Sequence, residues 1–439
     1  MTKFEPALDA TVAYFANQPG VTPDQVSQLR STIEADHDVL KGLNGLASTG
    51  HLNGFAPSNE SVPVGALDPR SGVVALPATA LDGSSEGAGN SDLHSVLRVQ
   101  RMVGEMSAST YPDAQGRSRH VSADMVDNLQ DVLNGSPVLA GQIKRAASTP
   151  DPVSPGSRLL DHISVMKSSG GTGGSYDGDK HTMNIPSTAL ASKSFTADHG
   201  AFRSGSLTFV IGHEVQHAFN RQMAAEAKRT LVADVKAVAR GAYSVHDYTH
   251  VVKTYLDATR RDEASAEIGG WNALRSRLQM NNRTVTADDM LAKDASRIGD
   301  FVIFDAKTRT AKLRPGLEVN ADLTMPQSEN NIEAMGRNYY ERPSPRHIPE
   351  GNRKNVMSLG ERGELDYPNH YGAYPVHVIA WAESNAPVRP GPKPEITINM
   401  AETGLWEDLL ERNGLSLGDK VEDDAVLRQQ SASLRAESL

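Results

Sequence analysis

Residues 213–217 read His-Glu-Val-Gln-His. Two histidines four positions apart, with a glutamate directly after the first, make a set of side chains that can do metal chemistry. On an α-helix positions i and i+4 stand one above the other on the same face, so His213 and His217 can aim two imidazoles at one ion. Glu214 is one step round from His213, placed to reach a metal-bound water without ligating the metal. Imidazole and carboxylate ligands in an open tetrahedral site suit zinc and leave one position for water. Zinc brings the pKa of that water towards ~7, and the carboxylate takes its proton as it attacks a carbonyl.

A helix that does this must be buried on its back. Val210, Ile211, Val215, Ala218 and Phe219 recur in steps of three and four on the side away from the histidines, the spacing of a buried helical stripe. His213, His217 and Asn220 then face a cleft. The third ligand must come from another element. A second long helical pattern runs from about Val245 to Leu278, with apolar Val251, Val252, Tyr255, Leu256, Ala266, Ile268, Trp271 and Leu274. It also carries Asp262, Glu263 and, one turn further on, Glu267, next to Arg260 and Arg261. Read from the residues alone, these acids are either a solvated face or a source of ligands.

These two stretches, His213-Glu214-Val215-Gln216-His217 and Asp262-Glu263-Ala264-Ser265-Ala266-Glu267, together resemble the gluzincin class of zinc metallopeptidases. The resemblance implies an α+β zincin-like core, a bound Zn2+ and hydrolysis of a peptide bond. It also implies Glu263 as the third ligand and Glu267 as the partner that holds a histidine by its other ring nitrogen, since metal-bound histidines are oriented by a carboxylate or carbonyl. The best-known members of the class carry aspartate at the second position, so the glutamate here leaves the two roles exchangeable. His181 to Pro186 reads as a strand closed by proline. In the zincin fold a strand in this place forms the cleft edge, so Thr182, Met183 and Asn184 are expected to pair with an extended substrate. Further on, Asp366-Tyr367-Pro368-Asn369-His370-Tyr371-Gly372-Ala373-Tyr374 offers donors for an oxyanion. Tyr371 is the first choice, with His370 and Tyr367 behind it.

The rest of the chain must carry these elements. At 439 residues two or three domains, or one large domain with additions, are expected. The apolar content of 38% against 22% charged residues is enough to build a core, which excludes a disordered chain. A net charge of −10, with no sustained basic stripe, argues against nucleic acid or an anionic membrane surface as the main partner. The absence of cysteine excludes disulfides, thiolate zinc sites and a cysteine nucleophile. No general secretory signal opens the sequence, and no apolar run is long enough to span a membrane.

Three regions are expected. Residues 1–120 form a helical, loop-rich N-terminal region, residues 121–385 the zincin-like catalytic domain, and residues 386–439 a C-terminal extension whose polar tail could carry a transport signal. Thr22-Pro23 reads as a cap and first turn for a helix through Glu34, a second helix follows over about Asp38 to Leu46, and Val73 to Leu76 reads as a strand ended by Pro77. The glycine-rich Ser168–Asp179 lacks the Gly-Lys-Ser/Thr ending of a phosphate loop and reads as a mobile loop. A hairpin is expected over Phe301 to Leu313.

The chain also echoes itself. Val121-Ser122-Ala123-Asp124-Met125-Val126 follows the pattern of Val21-Thr22-Pro23-Asp24-Gln25-Val26, and Asn184-Ile185-Pro186-Ser187-Thr188-Ala189-Leu190 that of Ala75-Leu76-Pro77-Ala78-Thr79-Ala80-Leu81. This reads as a degenerate duplication. Its first copy has only Leu93-His94-Ser95-Val96-Leu97-Arg98 where the second has the metal motif, which would make it a non-catalytic half for substrate binding or packing.

Over about residues 160–280 the chain is similar to metallopeptidase domains of bacterial effectors delivered by specialised secretion systems. That similarity implies a protein made in the cytoplasm and delivered into a target cell, where it cleaves a peptide target, either a peptidoglycan stem peptide or a protein. Its partners would include secretion machinery and a cognate immunity protein. Two other classes fit the same residues: a zincin-fold binding module without catalysis, and a metallohydrolase acting on a non-peptide amide or ester.

Overall fold

In the computed structural model the described residues are 3–82, 88–167, 173–191, 202–280, 284–348, 356–360, 362–387, 391–413 and 415. The expected transport signal in the tail, and residues 168–172 of the expected mobile loop, lie outside them. The fold is mixed α+β. The chain divides into two compact units, one of residues 1–219, 269–312 and 319–325, the other of residues 220–268, 313–318 and 326–439.

The first unit opens with α1 (Pro6–Ala16), α2 (Pro23–Glu34) and α3 (His37–Ser48), then β1 (Gly54–Ser58), β2 (Ala66–Asp68), β3 (Val73–Pro77), α4 (Ala78–Leu81) and α5 (Ala88–Ser107). The Thr22 hydroxyl accepts the Gln25 N–H while the Gln25 side chain returns to the Thr22 N–H. This reciprocal cap satisfies two of the donors that a helix start leaves open. A small hairpin follows, β4 (Thr110–Pro112) with β5 (Ser118–His120). Then come α6 (Ala123–Asn134), α7 (Pro137–Ser148), β6 (His162–Met166), β7 (Ser175–Asp177), β8 (Thr182–Pro186), α8 (Ser187–Leu190) and α9 (Ser204–Ala239).

The same order of elements occurs twice, with the same pairing. β3 lies between β1, to which it is parallel, and β2, to which it is antiparallel. β8 lies between parallel β6 and antiparallel β7 in the same way. In the first of these sheets the antiparallel outer strand, β2, is covered. The Gln130 side chain takes the Leu67 N–H at 2.5 Å and donates to the Leu67 carbonyl at 2.7 Å, while Asn134 bonds the Val64 N–H and the Gly65 carbonyl. Two amide side chains of α6 thus occupy the groups an added strand would need, so β2 serves packing and offers no edge to a peptide.

Where the second copy has its metal motif, the first has an ion-pair network. Asp36, the N-cap of α3, binds His94 at 2.6 Å and Arg98 at 2.5 Å through one oxygen, and the Asp38 and Val39 N–H groups through the other. Burial by itself would raise the Asp36 pKa, but the His94 and Val39 hydrogen bonds and the Arg98 charge outweigh it and hold this carboxyl well below the usual range. A group whose folded pKa is depressed contributes stability that is complete above its unfolded value, ~3.9, and is lost as pH falls through and below it. Thermal unfolding followed from pH 6 downward should therefore show a steeper loss below about pH 4 for the wild type than for Asp36→Asn. Equal slopes would exclude Asp36 as the source.

The core of this unit joins Leu8, Phe15, Leu29 and Ile33 to Phe55, Leu76, Leu97 and Val126, and continues to Ile163, Ile185, Ile211 and Val215. The second half of α9 belongs to the other unit and buries Leu231, Val235 and Ala239 at four-residue steps. Next in the chain are β9 (Val245–Asp247), α10 (Thr249–Gln279), α11 (Ala287–Lys293) and α12 (Ala295–Ile298), then the expected hairpin as β10 (Val302–Asp305) with β11 (Thr310–Leu313). α13 (Glu329–Met335) runs into a π-helical turn, Gly336–Tyr340, and is followed by α14 (Tyr367–Ser384), β12 (Glu395–Thr397), α15 (Met400–Thr403) and α16 (Glu407–Arg412). In the second unit β9 pairs in parallel with β12. Its core sets Tyr248, Val252, Tyr255 and Leu256 against Val376, Ile379 and Leu409. A buried network ties β9 to α14: His246 Nδ1 lies 2.6 Å from Glu383, which also accepts the Tyr248 hydroxyl. Among the described residues no helix is long and apolar enough to cross a membrane.

Candidate metal centre

His213 and His217 sit on α9 and Glu263 on α10. Both helices are continuous, and each residue can offer one ligand atom such that all three atoms lie within 4.8 Å of one another. The two imidazoles face each other through Nε2 at 3.0 Å, with rings at 77°. Ring nitrogens at this separation share either one proton or one cation. Two nitrogens each ~2.0–2.1 Å from a tetrahedral zinc stand about 3.3 Å apart, so the observed spacing needs only a small adjustment to hold an ion. The donor set of two imidazole nitrogens and one carboxylate is a zinc set with a position left over. The residues present fit the metal that the sequence implies.

The local sequence explains this geometry. Val210, Ile211, Val215 and Ala218 are buried, as their spacing requires, and Phe219 is partly buried under the Arg145 guanidinium, 4.1 Å above its ring. α9 and α10 touch backbone to backbone. A Cβ on Gly212 would stand 2.5 Å from the Ala273 Cβ and 3.0 Å from the Gly269 carbonyl; one on Gly269 would stand 2.8 Å from the Gly212 carbonyl. Further along, Asn220 donates to Asp262 at 2.7 Å. The glycine crossing and the Asn220–Asp262 bond bracket His213 and His217 in sequence on α9, and Glu263 on α10. The signal that could have revealed the crossing was present: Gly212, Gly269 and Gly270 lie inside helical patterns, where glycine costs ~1 kcal/mol and needs a packing reason.

The acids of α10 are not a solvated face. Glu263 is buried and Glu267, one turn on, is fully buried, whereas Arg260 and Arg261 turn outward to Glu333, Glu341 and Glu329. Glu214 is half-buried, and its Cγ lies 3.5 Å from where a Cβ on Gly174 would be. Gly174 directly precedes β7, so the start of that strand runs beside the glutamate.

Two expectations change. Thr182, Met183 and Asn184 do not form a sheet edge. β8 is the middle strand, and these three residues are paired with β6 on one side and with β7 on the other, so their backbone is not open to a substrate in the way expected. The outer strand on the antiparallel side is β7, Ser175–Asp177, a segment too short and too rich in glycine at its approach to read as a strand. The stretch around Tyr371 forms the first turns of α14, capped by Asp366, which accepts the Asn369 N–H. There the Tyr371 hydroxyl donates to Glu263 Oε1 at 2.5 Å. A phenol has one proton to donate, and in this arrangement it goes to the Glu263 carboxylate and not towards a reacting carbonyl. Burial first, and then the Glu263 charge, push the Tyr371 pKa well above its ordinary value, which keeps it a donor. His370, packed edge-on to Tyr371, has its pKa lowered by burial. No protein-family model, curated protein or solved structure matches this chain.

Proposed function

We propose that this chain is a zinc-dependent peptidase of the gluzincin type. The observation that carries the reading is the convergence of His213, His217 and Glu263 within 4.8 Å, with Glu214 on the same helix as the two histidines. His213, His217 and Glu263 would hold the ion. When bound, zinc lowers the pKa of a coordinated water and polarises the carbonyl under attack. Glu214 accepts the proton of the attacking water and returns it to the leaving amine, general acid–base work that contributes ~10²–10⁴ in rate. The outer strand β7, which begins beside Glu214, supports an extended peptide as substrate, since a strand edge recognises backbone more than side chains. The wider similarity noted for residues 160–280 extends the reading to a delivered effector whose target is a cell-wall or protein peptide.

The test is elemental analysis of purified protein, wild type beside Glu263→Ala and Glu267→Ala. One zinc per chain, lost with Glu263→Ala and largely kept with Glu267→Ala, is the expected result. No zinc in the wild type after reconstitution would sink the reading and favour a binding module built on the same fold.

A further inference from the structure

We propose that Tyr371 is a positioning residue for the metal-binding carboxylate, held in register by a stack of buried tyrosines so that one oxygen of Glu263 is fixed and the other is turned to the ion. The inference rests on the metal-site reading above and deepens it. Tyr371 is not alone beside Glu263. Its ring lies 6.0 Å from that of Tyr367 and 6.2 Å from that of Tyr340, with interplanar angles of 11° and 14°. Tyr340 and Tyr367 stack at 5.2 Å and 14°. The Tyr367 and Tyr339 hydroxyls are hydrogen-bonded at 2.6 Å. Tyr340 shares a hydrogen bond of 2.8 Å with Thr259 on α10, one turn before Glu263. The assembly is thus fastened to α10 twice, at Thr259 and at Glu263. Tyr339 and Tyr340 come from the π-helical turn, a backbone irregularity often found beside functional sites. Arg260 of α10 packs against its first residue: a Cβ on Gly336 would stand 2.4 Å from the Arg260 Cζ.

The physical consequence follows from degrees of freedom. A glutamate side chain has three torsions and two chemically equal oxygens, so by itself it can turn either or both towards an ion. A phenol packed against two near-parallel rings that also pack on each other has little freedom left, and the hydrogen bond it makes transfers that rigidity to the carboxylate. Partners of this kind outside the ligand set typically contribute a factor of 10–100 in metal affinity. An electrophile for the oxyanion would instead have to direct its proton to the place where negative charge develops.

The experiment is zinc affinity by competition with a chromophoric chelator, for full-length wild type, Tyr371→Phe and Tyr367→Phe. Helical content by circular dichroism and unfolding of the metal-free proteins show that each variant is folded. Tyr371→Phe should bind zinc roughly 10–100-fold more weakly, whereas Tyr367→Phe, which keeps the ring stack but loses a hydroxyl that does not touch Glu263, should bind like wild type. The cobalt-substituted wild type and Tyr371→Phe should also differ in their visible d–d spectra, because freeing the second carboxylate oxygen changes the coordination. This readout holds on the folded fraction even if Tyr371→Phe is less stable. Unchanged affinity with an unchanged cobalt spectrum overturns the proposal; unchanged affinity with a loss of hydrolysis returns Tyr371 to the oxyanion role. Failure of the wild type to bind zinc would instead remove the metal-site reading itself.

Discussion

Glu214→Gln is expected to lower hydrolysis of a peptide substrate by ~10²–10⁴-fold while leaving one zinc per chain in place. The substitution keeps the shape of the side chain and removes only its ability to take a proton. Glu214 is not one of the three residues whose ligand atoms converge, so metal content should not follow activity. The residue lies on the buried helix α9 with Gly174 beside it, and an isosteric amide fits the same space. The measurement pairs turnover with elemental analysis on the same preparation. Full activity in Glu214→Gln would refute the proposed role. Loss of zinc together with activity would mean that Glu214 belongs to the ligand set, contrary to the geometry.

The second large effect is expected from a residue with no chemistry of its own. Gly269→Val should lose the zinc site and lower the midpoint of thermal unfolding, because the new Cβ would meet the Gly212 carbonyl at 2.8 Å and the Gln216 Cβ at 3.0 Å. The first of these is backbone and cannot rotate away, so α9 must move off α10. Overpacking of this kind costs about 1–3 kcal/mol. The shift displaces His213, the residue after Gly212, with the turn of α9 that carries it. A glycine with open space makes the comparison. Nothing lies within 4 Å of a Cβ built on Gly141 in α7, so Gly141→Ala should keep its zinc and be neutral or stabilised by about 0.4–1 kcal/mol. Wild-type zinc content and unfolding in Gly269→Val would show that the close helix crossing does not determine the site.

Much of the site could be read without a structure because its determinants are local. The five residues from His213 to His217 set two imidazoles on one helix face by periodicity alone, and the apolar run before them announced the buried back of that helix. Glu263 was reached by resemblance, and the structure buries it. Capping at Thr22, the strands ending at Pro77 and Pro186, and the echo between the first and second hundred residues were legible for the same reason: each depends on neighbours a few positions away.

What the sequence left open depends on partners far along the chain. Whether Thr182–Asn184 lies at an edge or in the middle of a sheet is decided by β6 and β7, and nothing within those three residues records that both sides are filled. Tyr371 stood out as an aromatic donor, but its partner is fixed by how α14 and the π-helical turn pack against α10. The amino-acid sequence by itself determined which side chains can bind a metal and move a proton, because helical spacing of ligands and the acid–base character of a side chain are properties of the residues. The tertiary structure decided that the helices meet through Gly212 and Gly269, that Gln130 and Asn134 cover the β2 side of the first sheet, and that the Tyr371 proton is directed to Glu263. Each of these is a long-range contact, set by the mutual exclusion of atoms in a packed interior and by the need to pair every buried polar group.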